Sequence, residues 1–308
     1  MAQVDVILPT YRTENRPVVR SLRIADLKEI LGKGYEDFMA MPTHVVFLCA
    51  IYPIVGLLLF RVTFAYDLLP LLFPLAAGFA LVGPFAAIGL YELSRRRELG
   101  LDTSWRHAFD IVHSPSFGPI LALGVVLLVI FGAWIAAAHA IYVASFGDQP
   151  LTSPLSFAHR LLTTPEGLIL IILGNGIGFL FALLAASISV VSFPLLLDRD
   201  VGVGMAVVTS LRVVMRNPTT MAMWFIMVAT GLLFGSLPML VGLAVVLPVF
   251  GHATWHLYRR AVEPDDRPRP EYHPRPKHKR YAADFPASLF ASSSEVDEQP
   301  SGTDERSS

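Results

Sequence analysis

FGPILALGVVLLVIFGAWIAAAHAIYV, residues 117–143, runs without one Asp, Glu, Lys or Arg. At about 1.5 Å of rise per residue, a helix of this length crosses the roughly 30 Å of hydrocarbon in a bilayer with residues to spare. Comparable apolar runs lie on both sides of it, at about 44–62, 68–92, 167–197, 219–234 and 236–258. Together they predict an all-α polytopic membrane bundle of about six transmembrane helices. The bulk composition agrees: 54% of the residues are hydrophobic and 16% charged, where an ordinary soluble domain carries roughly a quarter charged residues.

Between the spans the charges are unevenly placed. Lys and Arg number 6, 4, 3 and 9 on segments 1–43, 93–116, 198–218 and 259–308, whereas the opposite side carries only Arg61 and Arg160. By the positive-inside rule both termini are expected in the cytoplasm, and the Pro-containing connection 144–166 outside. No short apolar core with a cleavage site occupies the first 43 residues, so the first span is expected to act as its own targeting signal. Three regions follow: a cytoplasmic tail at 1–20, a transmembrane domain at 21–262 and a Pro-, Ser- and charge-rich tail at 263–308 whose composition predicts disorder. The basic half of that tail, from Arg267 to Arg280, suits anionic headgroups. A formal net charge of −1 points to no nucleic-acid partner. The single cysteine, Cys49, excludes an intrachain disulfide.

A loose unit recurs: an amphipathic segment, a proline, then a pair of spans. Aligned on Pro42, Pro115 and Pro218, the unit places Phe38, Ile111 and Val214 four residues earlier and Tyr35, Ala108 and Leu211 seven residues earlier, on one helical face. A proline ends the helix before it and is tolerated in the first turn of the next. Three short amphipathic helices are therefore expected on the cytoplasmic surface, the second with Trp105, Phe109 and Val112 on its apolar side.

Few residues carry candidate chemistry. His252 and His256, four apart in GHATWHLYRR, share a helix face near the level of His44, and three imidazoles at one depth are a possible metal or haem site. The alternative is interfacial anchoring, with Trp255 and Tyr258 as belt aromatics and Arg259 and Arg260 reaching for headgroups. In GNGIG, Gly174 and Gly178 form a small-xxx-small pair for close helix approach, and Asn175 lies about 12 Å inside the bilayer, as a helix-packing amide or a polar group on a substrate path. Glu92 with Arg95, and Asp198 with Arg199, sit at the cytoplasmic ends of the second and fourth spans as interfacial charges able to pair across the bundle. No charged residue falls in the middle third of any span, which removes the usual mark of a proton relay or ion-coupled carrier. No phosphate loop, zinc spacing or catalytic triad is visible, and no cofactor is required.

The runs GPFAAIGLYELSRRRELG (83–100), FPLLLDRDVGVG (193–204) and GHATWHLYRR (251–260) resemble an uncharacterised family of bacterial integral membrane proteins, a domain of unknown function some of whose members are labelled putative cytochrome c oxidase. The resemblance covers about residues 20–262 and implies a six-helix inner-membrane protein. A haem-copper catalytic subunit uses six buried histidines, and only four lie in or at these spans, so an accessory or assembly role is the version compatible with the residues. The expected function is a non-enzymatic scaffold or accessory protein packing against lipid and other membrane subunits. The alternatives are a carrier or channel for a small, weakly polar solute and a haem or metal protein associated with respiration.

Overall fold

The computed structural model describes residues 16–41, 87–104, 116–147, 154–237 and 242–265, with a few isolated positions between 56 and 107. His44, Trp105, Arg106, residues 108–115 and most of the first two expected spans lie outside the described residues, as does the C-terminal segment after 265. What is described is nearly all helical and contains no β-strand, only an isolated antiparallel bridge between Val19 and Val262.

The helices, in chain order, are α1 (Ile24–Ala40), α2 (Ile88–Glu98), α3 (Phe117–Phe146), α4 (Pro154–Thr163), α5 (Pro165–Ser189), α6 (Ser192–Asp198), α7 (Gly202–Arg216), α8 (Pro218–Ser236) and α9 (Leu243–Ala261). Among the described residues three helical stretches are long and apolar enough to cross a membrane: Phe117–Phe146 with 30 residues, Pro165–Asp198 with 34, and Pro218–Ser236 with 19. They coincide with the third, fourth and fifth expected spans. Over most of the sixth expected span the chain forms α9, which is not among these stretches: its N-terminal half is apolar and its C-terminal half carries His252, His256, Arg259 and Arg260.

Local sequence explains the breaks. Thr164 caps α5 by accepting the Gly167 N–H at 3.1 Å, with Pro165 at the first helical position. Between α5 and α6 the helix is interrupted at Val190 and Val191, four and three residues before Pro194, which has no N–H to give. Ser210 of α7 fills the gap: its hydroxyl donates to the Ser187 carbonyl at 2.7 Å and accepts the Val191 N–H at 3.2 Å. Asn217, with ψ 51°, stops α7, and Pro218 opens α8.

Two expectations are refined. The connection 144–166 contains α4, whose Phe157 meets Tyr142 and Phe146 edge-on while Arg160 stacks 4.6 Å from the Phe146 ring. α8 runs on through Gly235 and Ser236, where the fifth and sixth expected spans were divided, and Gly235 serves a close approach: a Cβ there would meet Leu243 at 3.0 Å.

α1 and α7 form where amphipathic segments were expected. The buried face of α1 (Leu27, Ile30, Gly34, Phe38) turns to α9, and Gly34 lets the backbones meet so closely that a Cβ would lie 2.6 Å from Ala253. Tyr35, expected beside Phe38 on that face, is instead exposed.

Candidate functional site

At the end of the bundle where α6 stops and α8 starts, α1, α2, α6 and α9 enclose a layer of charged side chains. Asp37 of α1 is its hub, with a side chain 6% exposed. The Ser94 hydroxyl donates to Asp37 Oδ2 at 2.6 Å, His256 Nε2 stands 2.9 Å from the same oxygen, and the Arg97 guanidinium donates to Oδ1. Burial by itself raises a carboxyl pKa, but the hydrogen bonds from His256 and Ser94 outweigh it, holding Asp37 below its usual range.

The same contacts set the tautomer of His252. Ser94 has one hydroxyl proton, and an ionised carboxylate can only accept. With that proton on Asp37, the 2.6 Å contact from Ser94 Oγ to His252 Nδ1 makes Nδ1 the donor and leaves the lone pair on Nε2. His252 is fully buried, and its Nε2 makes no hydrogen bond among the described residues.

Other carboxylates knit the rest of the layer. Glu98 accepts from Trp255 Nε1 at 3.0 Å and from Arg259 at 2.7 Å. Asp198 accepts the Tyr258 hydroxyl at 2.6 Å, with Arg199 Nε at 3.6 Å and Arg259 at 3.7 Å. Asp26 accepts from Arg23 and from Arg260 at 3.0 Å. Glu92 is bound within its own helix, 2.7 Å from Arg95 and 3.0 Å from Arg96. Beneath this layer the N-terminal segment is tied down: Asn217 Oδ1 accepts the Leu22 N–H at 2.7 Å, and Thr220 donates to the Leu22 carbonyl at 3.0 Å.

Of the residues singled out by sequence, His252 and His256 converge on Asp37, while His44 lies outside the described residues. Asn175 is exposed, its amide donating to the Ile171 carbonyl of its own helix at 2.8 Å. Gly178 lies under Trp134, whose ring would be 2.8 Å from a Cβ, whereas nothing lies within 4 Å of one at Gly174. Sequence reasoning missed Asp37 and Ser94. The available signal was the buried stripe of α1, where Asp26 and Asp37 stand in line with Leu27, Ile30 and Gly34. A carboxylate on an apolar stripe requires a buried partner. Among the described residues no group of three His, Cys, Asp or Glu side chains is arranged to hold a metal ion.

Long apolar helices above a polar layer define an integral membrane protein of helical type. Residues 72–198 match the model of a family described as "Predicted integral membrane protein (DUF2189)". The match supports an uncharacterised membrane-protein family and carries no activity or oxidase label with it. No curated protein and no solved structure matches the chain.

Proposed function

We propose that this protein is a non-enzymatic scaffold or accessory subunit of the bacterial inner membrane, with six spans and both termini cytoplasmic, presenting apolar helix faces to lipid and to other membrane subunits. The observation that carries this reading is the division of labour among its groups. Asp37, Glu98 and Asp198 each bind donors from other helices of the same chain. The outer positions of α5, including Ile172, Phe179 and Leu180, are exposed.

Parity supports the topology. The Arg20 N–H donates to the Ala261 carbonyl at 2.7 Å and the Glu263 N–H to the Val18 carbonyl at 3.0 Å, which supports an even number of crossings with both ends of the transmembrane domain on one side. α3, α5 and α8 supply three. α9 then returns the chain to its starting side, and the Asp37–Arg97 pair keeps the ends of α1 and α2 together, which requires none or two crossings between them. Two fits the apolar runs at 44–62 and 68–92. The charge asymmetry assigns that common side to the cytoplasm.

Crosslinking in native membranes followed by purification of the full chain and mass spectrometry tests the role. Defined membrane subunits at fixed stoichiometry, lost when Ile172 and Phe179 are both changed to Ser, are the expected result. Solute flux through the purified protein in liposomes would overturn it. Reporter fusions after Arg20 and Asp265 should both read cytoplasmic. A haem or metal reading rests on one observation, the buried Nε2 of His252, which has no hydrogen-bond partner among the described residues. A visible spectrum of protein purified from native membranes without a haem or charge-transfer band removes it.

A further inference from the structure

On the outer side of α7 a groove of about 430 Å3 is lined by Pro17, Val19, Met215, Arg212 and Arg216, within the roughly 300–1,000 Å3 of ligand sites. Its charge is unbalanced. The arginines of α2 and α9 all reach carboxylates, whereas neither Arg212 nor Arg216 forms an ion pair among the described residues. Arg216 has only a long contact to the Ser21 hydroxyl, at 3.5 Å. The apolar side is equally unmatched, for Met215 is 70% exposed and Val208, seven residues earlier on the same helix face, 41%.

The place of α7 in the chain says what meets this face. It joins the end of one membrane-crossing stretch, Pro165–Asp198, to the start of the next, Pro218–Ser236, so it sits at the membrane boundary. At that depth, exposed Val and Met contact acyl chain while guanidinium groups reach headgroup phosphates, to which Arg is geometrically matched.

From this juxtaposition we infer that the groove between residues 17–19 and the C-terminal half of α7 is a binding site for an anionic phospholipid, its phosphate held by Arg212 and Arg216 and an acyl chain laid along Met215 and Val208. The inference rests on the membrane placement of α7 and not on the scaffold role. It is separate from the basic tail after residue 265.

The test uses the full chain, tail included, reconstituted in nanodiscs of phosphatidylcholine with a minority of phosphatidylglycerol, then released into mild detergent for native mass spectrometry. Wild type is expected to retain phosphatidylglycerol preferentially, and R212Q/R216Q to lower that enrichment roughly tenfold, from a few-fold contribution per basic group. Met215→Glu, at an exposed position that disturbs no packing, should lower it similarly by setting a carboxylate between the guanidiniums. R212K/R216K should keep most of it. No preference in wild type, equal enrichment in wild type and Met215→Glu, or displacement of the lipid by soluble glycerol phosphate overturns the site. A chain that fails to enter the nanodisc at all would instead count against the membrane placement.

Discussion

The two ends of the stretch 165–198 are both apolar in sequence and yet meet different surroundings. In α5 the side chains of Leu168, Ile172, Phe179 and Leu180 are each more than half exposed, and only 6% of the most apolar window of this stretch is buried. In α6 every residue from Ser192 to Asp198 is buried. Hydropathy measures departure from water and is silent on whether lipid or protein receives the side chain. At the α6 end the receiving surface is protein: Phe193, Leu195 and Leu196 join one buried apolar cluster with Ile120, Trp255 and Tyr258, from helices far away in the chain.

From that contrast, the two ends should respond differently to substitution. The largest effect is expected at the hub: Asp37→Ala leaves Ser94, His256 and Arg97 without their common acceptor and should cost about 3 kcal/mol, the lower end of the range for breaking a buried ion pair because Arg97 is partly exposed. A drop under about 1 kcal/mol in detergent unfolding would dissolve the idea of a cooperative layer. The same carboxylate sets an acid limit. Its folded pKa is depressed, so its stabilisation is fully present above about pH 4 and is lost as the pH falls through the folded value. Asp37→Asn should flatten that acid-side slope in a stability profile. Next in size is Gly178→Leu, which drives a side chain into Trp134 and should cost roughly 1–3 kcal/mol. Gly174→Leu, facing open space, should stay within about 0.5 kcal/mol. Equal losses at the two glycines would mean that the Trp134 contact does not set the packing of α3 against α5. The smallest effect belongs to the outer face of α5, where Ile172→Ala should move thermal stability by no more than about 0.5 kcal/mol.

Among the described residues the long apolar helices were legible because apolar runs and prolines act locally. Residues 117–143, 167–197 and 219–234 anticipated α3, α5 with α6, and α8 to within a few positions, since desolvation of a 20-residue run leaves the backbone few alternatives to helix. The site was legible in part. Position in the heptad placed His252 and His256 on one face, but the identity of their partner depends on α1 meeting α9 across more than 200 residues of chain, and no local pattern encodes that pairing. For the same reason Glu92 and Asp198, alike in sequence as interfacial acids, find different partners: one binds arginines of its own helix, the other a tyrosine from α9.

That α1 packs on α9 also has a consequence for manufacture. Asp37 and His256 are 219 positions apart, so at the usual pace of synthesis the first helix waits on the order of tens of seconds for the last to emerge. Throughout that interval the carboxylate of Asp37 and the bare backbone at Gly34 are without their final neighbours, His256 and Ala253. The molecule is clasped shut last, by the Val19–Val262 bridge.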